Sequence, residues 1–389
     1  MSLSVKRRLD GTTKILGVGQ APSRGVRKGE IVDFETAMKC VLEALSDAET
    51  KSDVMIKRCL CRRDRARTFR VSTIVAASCL PDDHEEIDEQ DIEDVKINAR
   101  EVSIPAQNAF LHSIIQHYHV DGQDGVLNPV GMLGQKLEAD FHIIHGVRTR
   151  IQNTIRCVKE LPLEVEDVVF NRARLRSGGP DANSKRIMGA LVIDIGGGTT
   201  DYILICRWRS EAERDNLGIG GDHITNDISM GLRIPMARAE KLKIDEGSVI
   251  LGNCLPGETV VLKDDSGFAG KEVERETLNT IIHLRVRETF ELLKRTLEEE
   301  SFINFIGEGI FITGGCSLLR GIDNLAEEIF EIPARVAHAQ TMSGLTSAFQ
   351  NPQLSTAIGL IKYAQAVQAE RPQRRGFGRI FSRFIPGMR

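Results

Sequence analysis

The sequence ALVIDIGGGTTD, residues 190–201, joins an almost wholly apolar segment to three glycines, two threonines and an aspartate. The apolar part, 190–195, has the length and composition of a buried strand. Consecutive glycines let the backbone approach a ligand closely and point successive N–H groups into one concavity. The pattern is neither the GxxxxGK[ST] of a P-loop nor the GxGxxG of a Rossmann fold. It predicts a phosphate-binding turn of another type, with a tight hairpin turn that binds nothing as the alternative.

A second apolar strand, at 309–313, also ends in glycines and leads into a helix, in the sequence IFITGGCS (310–317). A helix N-terminus preceded by glycines favours anionic or polar ligand groups. Two glycine turns, each after a buried strand, suggest two halves that close on one nucleotide. Strands and helices mixed along the chain indicate an α/β fold.

Hydrophobic periodicity predicts the remaining elements. It gives strands at 14–20 and 136–143, and helices at 33–48, 151–159, 222–232 and 272–300. Asp33 and Asp88 are the expected N-caps of the helices that follow them. After Lys362 the pattern weakens into a polar linker.

Composition narrows the class of protein. The chain has 389 residues, which suggests two to three domains of about 150 residues each. Its 41% hydrophobic and 27% charged residues are typical of a folded protein, and its net charge of −4 gives no reason to expect nucleic-acid binding. No apolar run is long enough for a transmembrane helix, and no secretory signal is present. Eight scattered cysteines suit reduced thiols in a cytosolic protein.

The order of four segments resembles that of the actin-like ATPase superfamily. The segments are DIGGGTTD (194–201), GIGGDHITNDI (218–228), AEKLKIDEG (239–247) and FITGGCSLLRGI (311–322). The chain is most similar to the FtsA family of bacterial cell-division proteins, through GVGQAPSRGVRKGEIVDFE (17–35) and NPVGMLGQKLEADFHII (128–144). The resemblance implies an α/β, actin-like, two-lobed ATPase fold with an inserted α+β subdomain and a C-terminal amphipathic helix.

The resemblance also implies a division of the chain. The expected parts are a first-lobe core at 1–70, the inserted subdomain at 71–150, first-lobe core at 151–187, second-lobe core at 188–235, a second-lobe upper subdomain at 236–305, second-lobe core at 306–350, a first-lobe closing helix at 351–363, a linker at 364–373 and a membrane-targeting helix at 374–389. The family's first phosphate loop, D-I-G-T/S, has no counterpart because the chain begins after it. We therefore expect weak ATP binding or none, and at most a weak ATPase.

The resemblance assigns ATP and Mg²⁺ to the glycine turns. The implied nucleotide-binding residues are Asp194, Gly196, Gly197, Gly198, Thr199, Thr200, Gly220, Gly221, Glu240, Lys243, Gly314, Gly315, Cys316 and Ser317. Asp194 could hold Mg²⁺ through water, because Mg²⁺ keeps much of its hydration shell. No catalytic base can be assigned.

Three tracts depart from the family pattern. They are the arginine-rich 58–70, the cluster Arg172, Arg174 and Arg176, and CRWRSEAERDN at 206–216. Patches that bind anions or membranes are one explanation. A local shift of reading frame is the explanation that we favour, because the flanking sequence is family-like and the tracts do not suit buried strand positions.

The last residues carry an apolar stripe at helical spacing. With the arginines beside it, the expected membrane-binding set is Phe377, Arg379, Ile380, Phe381, Arg383, Phe384 and Ile385. Aromatic residues on one face and arginines beside them are typical of a helix that lies in the membrane interface. A final helix packed on the body of the protein is the alternative.

The resemblance implies an adaptor that anchors FtsZ filaments to the cytoplasmic face of the membrane at the division site. The expected partners are the acidic C-terminal peptide of FtsZ, contacting Arg285, together with other copies of the chain, later division proteins and the membrane, but no nucleic acid. An actin-like pilus-assembly protein and a small-molecule kinase of the superfamily remain alternatives.

Two histidine pairs, His117/His119 and His142/His145, raise the question of a metal. An HxH on a strand points both rings to one side. Because no acidic or cysteine partner stands at a defined spacing from either pair, we do not predict a metal site there.

Overall fold

The structure is a computed structural model. It describes residues 2–7, 13–27, 30–63, 69–79, 86–101, 104–170, 189–205, 216–252, 255, 257–262, 270–337, 343–344 and 351–369. The predicted membrane-binding residues 377–385, Arg172, Arg174 and Arg176, and most of 206–216 lie outside this part of the chain.

The helices and strands follow one another along the chain as α and β elements in mixed order. The strands are β1 Ser2–Arg7, β2 Thr13–Gly19, β3 Val26–Arg27, β4 Glu30–Ile31, β5 Arg58–Arg63, β6 Phe69–Cys79, β7 Asn108–Val120, β8 Gln123–Val126, β9 Lys136–Val147, β10 Glu164–Phe170, β11 Gly189–Ile195, β12 Thr200–Ile205, β13 Asn216–Leu217, β14 Thr259–Leu262, β15 Lys271–Glu274, β16 Ile306–Thr313, β17 Ala334–Val336 and β18 Ser343–Gly344. The α-helices are α1 Phe34–Ser52, α2 Glu89–Arg100, α3 Arg148–Lys159, α4 Gly221–Leu232, α5 Met236–Glu246, α6 Arg275–Glu299, α7 Ile322–Phe330 and α8 Ser355–Ala369.

The sheet that carries the glycine turns has the order β13-β12-β11-β16-β17. Strand β11 is central and is buried along its whole length. It pairs antiparallel with β12 and parallel with β16, and β17 continues the parallel half. Helices α4 to α7 supply most of the residues of the large core on one face of this sheet, including Phe290, Leu293 and Leu297 of α6.

A second sheet, with the order β6-β9-β7-β8, is antiparallel throughout. Alternate residues of β9 are buried, among them Leu137, Ala139, Phe141 and Ile143, and they pack with Val95 and Ala99 of α2. The alternation buries one face of the sheet and leaves the other more open to solvent.

The smaller sheets are β1-β2-β18, the parallel pair β10-β5 and the antiparallel pairs β14-β15 and β3-β4. Helix α1 packs on β2, where an added Cβ at Gly19 would lie 2.6 Å from Ala48 N. The α1 backbone therefore approaches β2 more closely than any side chain at Gly19 would permit. Helix α3 contributes Ile151, Ile155 and Val158 to a core shared with Val165 of β10.

Both predicted N-caps are confirmed. Asp33 Oδ1 accepts a hydrogen bond from Thr36 N at 3.2 Å, at the start of α1. Asp88 Oδ1 accepts from Asp91 N at 3.1 Å, and Asp91 Oδ2 accepts in return from Asp88 N at 2.9 Å. The two residues form a capping box that satisfies donors at the first turn of α2.

One expectation from the sequence is wrong. Residues 272–274 do not begin the long helix, because β15 pairs antiparallel with β14 and α6 starts only at Arg275. The arginine-rich tract forms a strand over part of its length, which the sequence did not predict, since β5 pairs parallel with β10. Arg58 is exposed, and Cys59 packs on the core to which α3 contributes.

No helix within the part of the chain that the structure describes combines the length and the apolar content needed to cross a bilayer.

Candidate nucleotide-binding site

The triglycine segment forms the turn between β11 and β12. Ile195 and Thr200 face each other as the last pair of the two strands, and Gly196 N–H donates to the Thr199 carbonyl at 2.9 Å to close the turn. Gly197 is exposed at its tip. The predicted turn is therefore confirmed as a structural element at the carboxyl end of a buried strand.

The N-terminus of α4 packs directly on this turn. Gly221 N–H donates to the Gly196 carbonyl at 2.9 Å, and Asp222 N–H donates to the Gly197 carbonyl at 2.7 Å. A Cβ at Gly220 would lie 2.6 Å from the Gly197 carbonyl oxygen and 2.8 Å from Thr199 N. Only glycine fits there, because both neighbours are backbone atoms of the turn.

The second glycine turn lies against the first. Gly314 has φ +89°, and a Cβ there would lie 2.5 Å from the Ile195 carbonyl oxygen and would also overlap Asp194 Oδ1. The Cys316 thiol donates to the Gly196 carbonyl, with Sγ and O 3.7 Å apart. The two predicted turns therefore face the same region, as the parallel pairing of β11 with β16 requires. Because both turns follow neighbouring strands of one sheet, the expectation that they belong to two halves that close on one nucleotide is wrong.

Cys316 is enclosed between these elements. Burial raises the pKa of its thiol to about 11, and the nearby Lys243 ammonium lowers it only in part. A thiol with this pKa stays protonated near neutral pH and is a poor nucleophile. Cys316 is therefore a packing residue and a weak hydrogen-bond donor in the site.

A buried hydrogen-bond network joins α5 to the first turn of α4. Lys243 Nζ donates to Glu240 Oε2 at 2.7 Å, to Thr225 Oγ1 at 2.8 Å and to the Gly221 carbonyl at 3.1 Å. Thr225 Oγ1 is also hydrogen-bonded to Glu240 Oε2. All three N–H groups of the Lys243 ammonium thus have acceptors, which compensates for its burial. The Glu240 side chain is 44% exposed and can reach a ligand.

Asp194 lies where the carboxyl ends of β11 and β16 meet. It is only 4% exposed, and its Oδ2 accepts a hydrogen bond from Thr356 Oγ1 of α8 at 3.0 Å. Thr313, its register partner on β16, donates through Oγ1 to the Pro352 carbonyl at 3.3 Å. The segment that precedes and begins α8 therefore contacts the ends of both strands.

Two of the predicted ligand residues have their hydroxyl groups engaged inside the protein. Thr200 is fully buried and donates through Oγ1 to the Ile219 carbonyl at 2.8 Å. Ser317 donates through Oγ to the Gly314 carbonyl at 2.7 Å. Both contacts hold the glycine turns in place, so these residues position the site from within.

The structure brings together the predicted site residues Asp194, Gly196–Gly198, Thr199, Thr200, Gly220, Gly221, Glu240, Lys243, Gly314, Gly315, Cys316 and Ser317. Sequence reasoning missed Thr225 and Thr356. Thr225 stands four residues after Gly221, a helical spacing that could have revealed it. Thr356 had no local signal, because its contact with Asp194 depends on a strand far away in the sequence.

Arg285 lies outside this cluster, on α6. Its guanidinium is hydrogen-bonded to Asp227 of α4 and to Glu288 one turn along its own helix. The hydrogen bond to Asp227 raises its pKa most, and Glu288 adds to the effect against the opposing effect of burial. An acidic ligand at Arg285 would meet two carboxylates that are already paired with it.

Arranged in this way, the site offers exposed glycine backbone at Gly197 and Gly315 and the half-exposed carboxylate of Glu240, while the first N–H groups of α4 are used in holding the turn. Backbone approach suits phosphate groups, a carboxylate suits ligand hydroxyl groups, and Asp194 can accept hydrogen bonds from metal-bound water. These groups fit a nucleotide with its magnesium ion.

Comparison with known families gives two matches. The pattern of the family described as "Cell division protein FtsA" matches residues 191–359, and that of the "SHS2 domain inserted in FTSA" matches residues 70–145. The curated cell division protein FtsA of Pseudomonas aeruginosa is 32% identical over 363 residues, which are 93% of this chain and 85% of the relative.

Two solved structures share the fold. One, titled "PilM-PilN type IV pilus biogenesis complex", has a TM-score of 0.62 at 14% identity and covers 95% of each chain. The other, MreB 5 of Spiroplasma citri bound to AMPPNP, has a TM-score of 0.50 at 16% identity and covers 92% of this chain and 90% of its own. Both likenesses are in fold alone, and together with the inserted domain they agree with the expected actin-like architecture.

Proposed function

The chain belongs to the FtsA family of cell division proteins, and we propose that it is an actin-like adaptor that anchors FtsZ filaments to the cytoplasmic face of the membrane at the division site. It also recruits later division proteins and assembles with copies of itself in an ATP-dependent manner. The observation that carries the proposal is the similarity to a cell division relative that extends over 93% of the chain and so includes both glycine turns and the inserted sheet.

Mg-ATP is the proposed ligand of the cluster around the two glycine turns. In this proposal the turn at Gly196–Gly198, held in place by the N-terminus of α4, faces the phosphates, Glu240 faces the adenosine, and Asp194 holds Mg²⁺ through water. Bound Mg-ATP would bring a divalent cation and many hydrogen-bond acceptors to this region, which would stabilise the contacts between the two glycine turns and α4. Hydrolysis, where it occurs, is slow and secondary.

A binding experiment tests this part of the proposal. Asp194→Asn keeps the size of the side chain but removes the charge that holds metal-bound water, so nucleotide binding should lose its dependence on Mg²⁺. Lys241→Met is the matched control for Lys243→Met, because Lys241 is an exposed neighbour on α5. In calorimetric titration, the affinity for Mg-ATP should fall in Lys243→Met and stay unchanged in Lys241→Met. Equal affinities would refute the proposed site.

Membrane attachment is assigned to residues 374–389. A short helix with aromatic residues on one face and arginines beside them folds on an anionic bilayer, and each arginine near the surface contributes about 1 kcal/mol. Phe381→Glu places a charge on the apolar stripe, whereas Ser382→Glu places the same charge beside it. Sedimentation with anionic liposomes should be lost in the first variant and largely retained in the second.

The FtsZ-binding contact is assigned to Arg285. A guanidinium recognises carboxylates with two parallel hydrogen bonds, and Glu288, which is 54% exposed, is the more easily displaced of its two present partners. The decisive assay is bridging: FtsZ filaments should sediment with liposomes only when this protein is present. Bridging should be lost in Phe381→Glu and weakened in Arg285→Ala. Failure of the unaltered protein to bridge would contradict the proposed function.

A further inference from the structure

The more open face of the inserted sheet carries a group of three side chains that the proposed function does not use. His117 and His119 alternate along β7, so their rings project from the same face. Asp140 projects from the same face of the neighbouring strand β9. These side chains are 31%, 17% and 19% exposed, so solvent and small ions can reach them.

The three side chains converge on one point. Asp140 Oδ2 lies 2.8 Å from His117 Nε2 and 3.3 Å from His119 Nε2. One nitrogen from each ring and one carboxylate oxygen all lie within 4.8 Å of one another. A zinc ion bound tetrahedrally at about 2.0–2.1 Å keeps its ligand atoms about 3.3 Å apart. The two separations from Asp140 Oδ2 are near that value.

A bulge in β7 produces this convergence. Ile115 pairs with Phe141 and Tyr118 with Ala139, so two residues of β7, Gln116 and His117, stand opposite Asp140 alone. An extra residue in one strand re-aims the side chains beside it. Here it allows the strand to present both histidines to one carboxylate.

The second nitrogen of His119 is also held in place. Its Nδ1 is 2.7 Å from Asp124 Oδ1, at the start of the neighbouring strand β8. Metal-binding histidines commonly donate their other ring N–H to a carboxylate, which fixes the tautomer and leaves Nε2 free to ligate. His119 has this arrangement, with Nε2 directed toward the other two members of the group.

We propose that His117, His119 and Asp140 form a binding site for a borderline divalent transition-metal ion of the zinc class. Imidazole nitrogens select such ions over Mg²⁺ and Ca²⁺, which prefer oxygen ligands. The three side chains leave one position of a tetrahedral ion for water or for a ligand from another molecule. The ion cross-links β7 to β9 at the bulge.

Zinc titration of the full chain tests the proposal. The unaltered protein should bind Zn²⁺ saturably at this site, and excess Mg²⁺ should not compete. His117→Gln, His119→Gln and Asp140→Asn should each lower the affinity at least tenfold. Asp124→Asn, which removes only the carboxylate that orients His119, should lower it about 10-fold or more.

His142→Gln is the matched control, since His142 lies two residues from Asp140 on the same face of β9 and is not a member of the group. Its affinity should equal that of the unaltered protein. Cobalt(II) gives a second readout: the bound ion should show a tetrahedral visible spectrum without a thiolate charge-transfer band, which excludes binding by cysteines. Circular dichroism of each variant checks that the sheet is folded.

Two results would overturn the proposal. One is the lack of saturable zinc binding in the unaltered protein at micromolar concentrations. The other is equal affinity in His117→Gln, Asp140→Asn and the unaltered protein, which would place any bound ion elsewhere.

Discussion

Replacing Gly220 by alanine is expected to separate the N-terminus of α4 from the triglycine turn. The new Cβ would meet the Gly197 carbonyl oxygen at 2.6 Å and the Gly196 carbonyl oxygen at 2.8 Å, well inside van der Waals contact. These are the carbonyls that accept hydrogen bonds from Asp222 N–H and Gly221 N–H. The backbone must therefore shift, and both hydrogen bonds weaken or break.

The expected magnitude follows from these two bonds. Each contributes about 0.5–1.5 kcal/mol net, so the free energy of unfolding should fall by about 1–3 kcal/mol. For a unit of 150–250 residues each 1 kcal/mol lowers Tm by about 2–4 °C. Thermal unfolding measures this decrease, and hydrogen exchange followed by mass spectrometry should show faster exchange at Gly221 and Asp222.

Gly218→Ala is the control for this prediction. Gly218 belongs to the same glycine-rich segment, its φ is not positive, and a Cβ there has no neighbour within 4 Å. The free energy of unfolding of the control should lie within about 0.5 kcal/mol of that of the unaltered protein. If Gly220→Ala and Gly218→Ala have the same Tm and the same hydrogen-exchange rates, the close contact between α4 and the triglycine turn is refuted.

Three further changes can be predicted. Cys316, with a pKa of about 11, has about one thiolate in a thousand molecules at pH 8, so iodoacetamide should modify exposed Cys79 and leave Cys316 intact in peptide mass mapping. Asp88→Ala removes the capping box of α2 and should lower stability by about 1 kcal/mol, measured by urea unfolding. Glu288→Gln removes a competing carboxylate from Arg285 and should strengthen binding of the acidic FtsZ peptide about two- to fivefold in fluorescence anisotropy.

Each of these has a contradicting result. Rapid alkylation of Cys316 in the folded protein would mean that its site is open. Asp88→Ala should be compared with Glu89→Ala, an exposed first-turn position, and equal effects would exclude a specific cap. Weaker peptide binding by Glu288→Gln would show that Glu288 supports the bound geometry of Arg285.

The glycine turns and helix caps were predictable because their signals are local. Three glycines after an apolar strand favour a turn, and an aspartate just before a helical pattern, such as Asp88, is a typical N-cap. The start of α6 was not predictable to the residue. Residues 272–274 suit helix and strand alike, and only the pairing of β15 with β14 decides between them.

Contacts between strands that are distant in the sequence could not be predicted. His117 and His119 lie on β7, and their partner Asp140 lies on β9. The register of the two strands and a bulge in β7 bring the three side chains together, and neither can be read from the sequence. The strand at Arg58–Arg63 was missed for a related reason. Its arginines argued against a buried strand, but the pairing with β10 uses backbone groups, and Arg58 is exposed.

The hydrogen bond between Thr356 and Asp194 links the end of the chain to the ligand chemistry. A carboxylate has a limited number of lone pairs, and Asp194 offers one oxygen to the hydroxyl of Thr356. Water on a magnesium ion would seek the same carboxylate. If the proposed Mg-ATP binds at the glycine turns, it would therefore change how firmly α8 is held. The segment after α8 leads to residues 374–389, the proposed membrane-binding helix. In the proposed function, a change in nucleotide binding at the glycine turns would therefore alter the position of the segment that carries this helix.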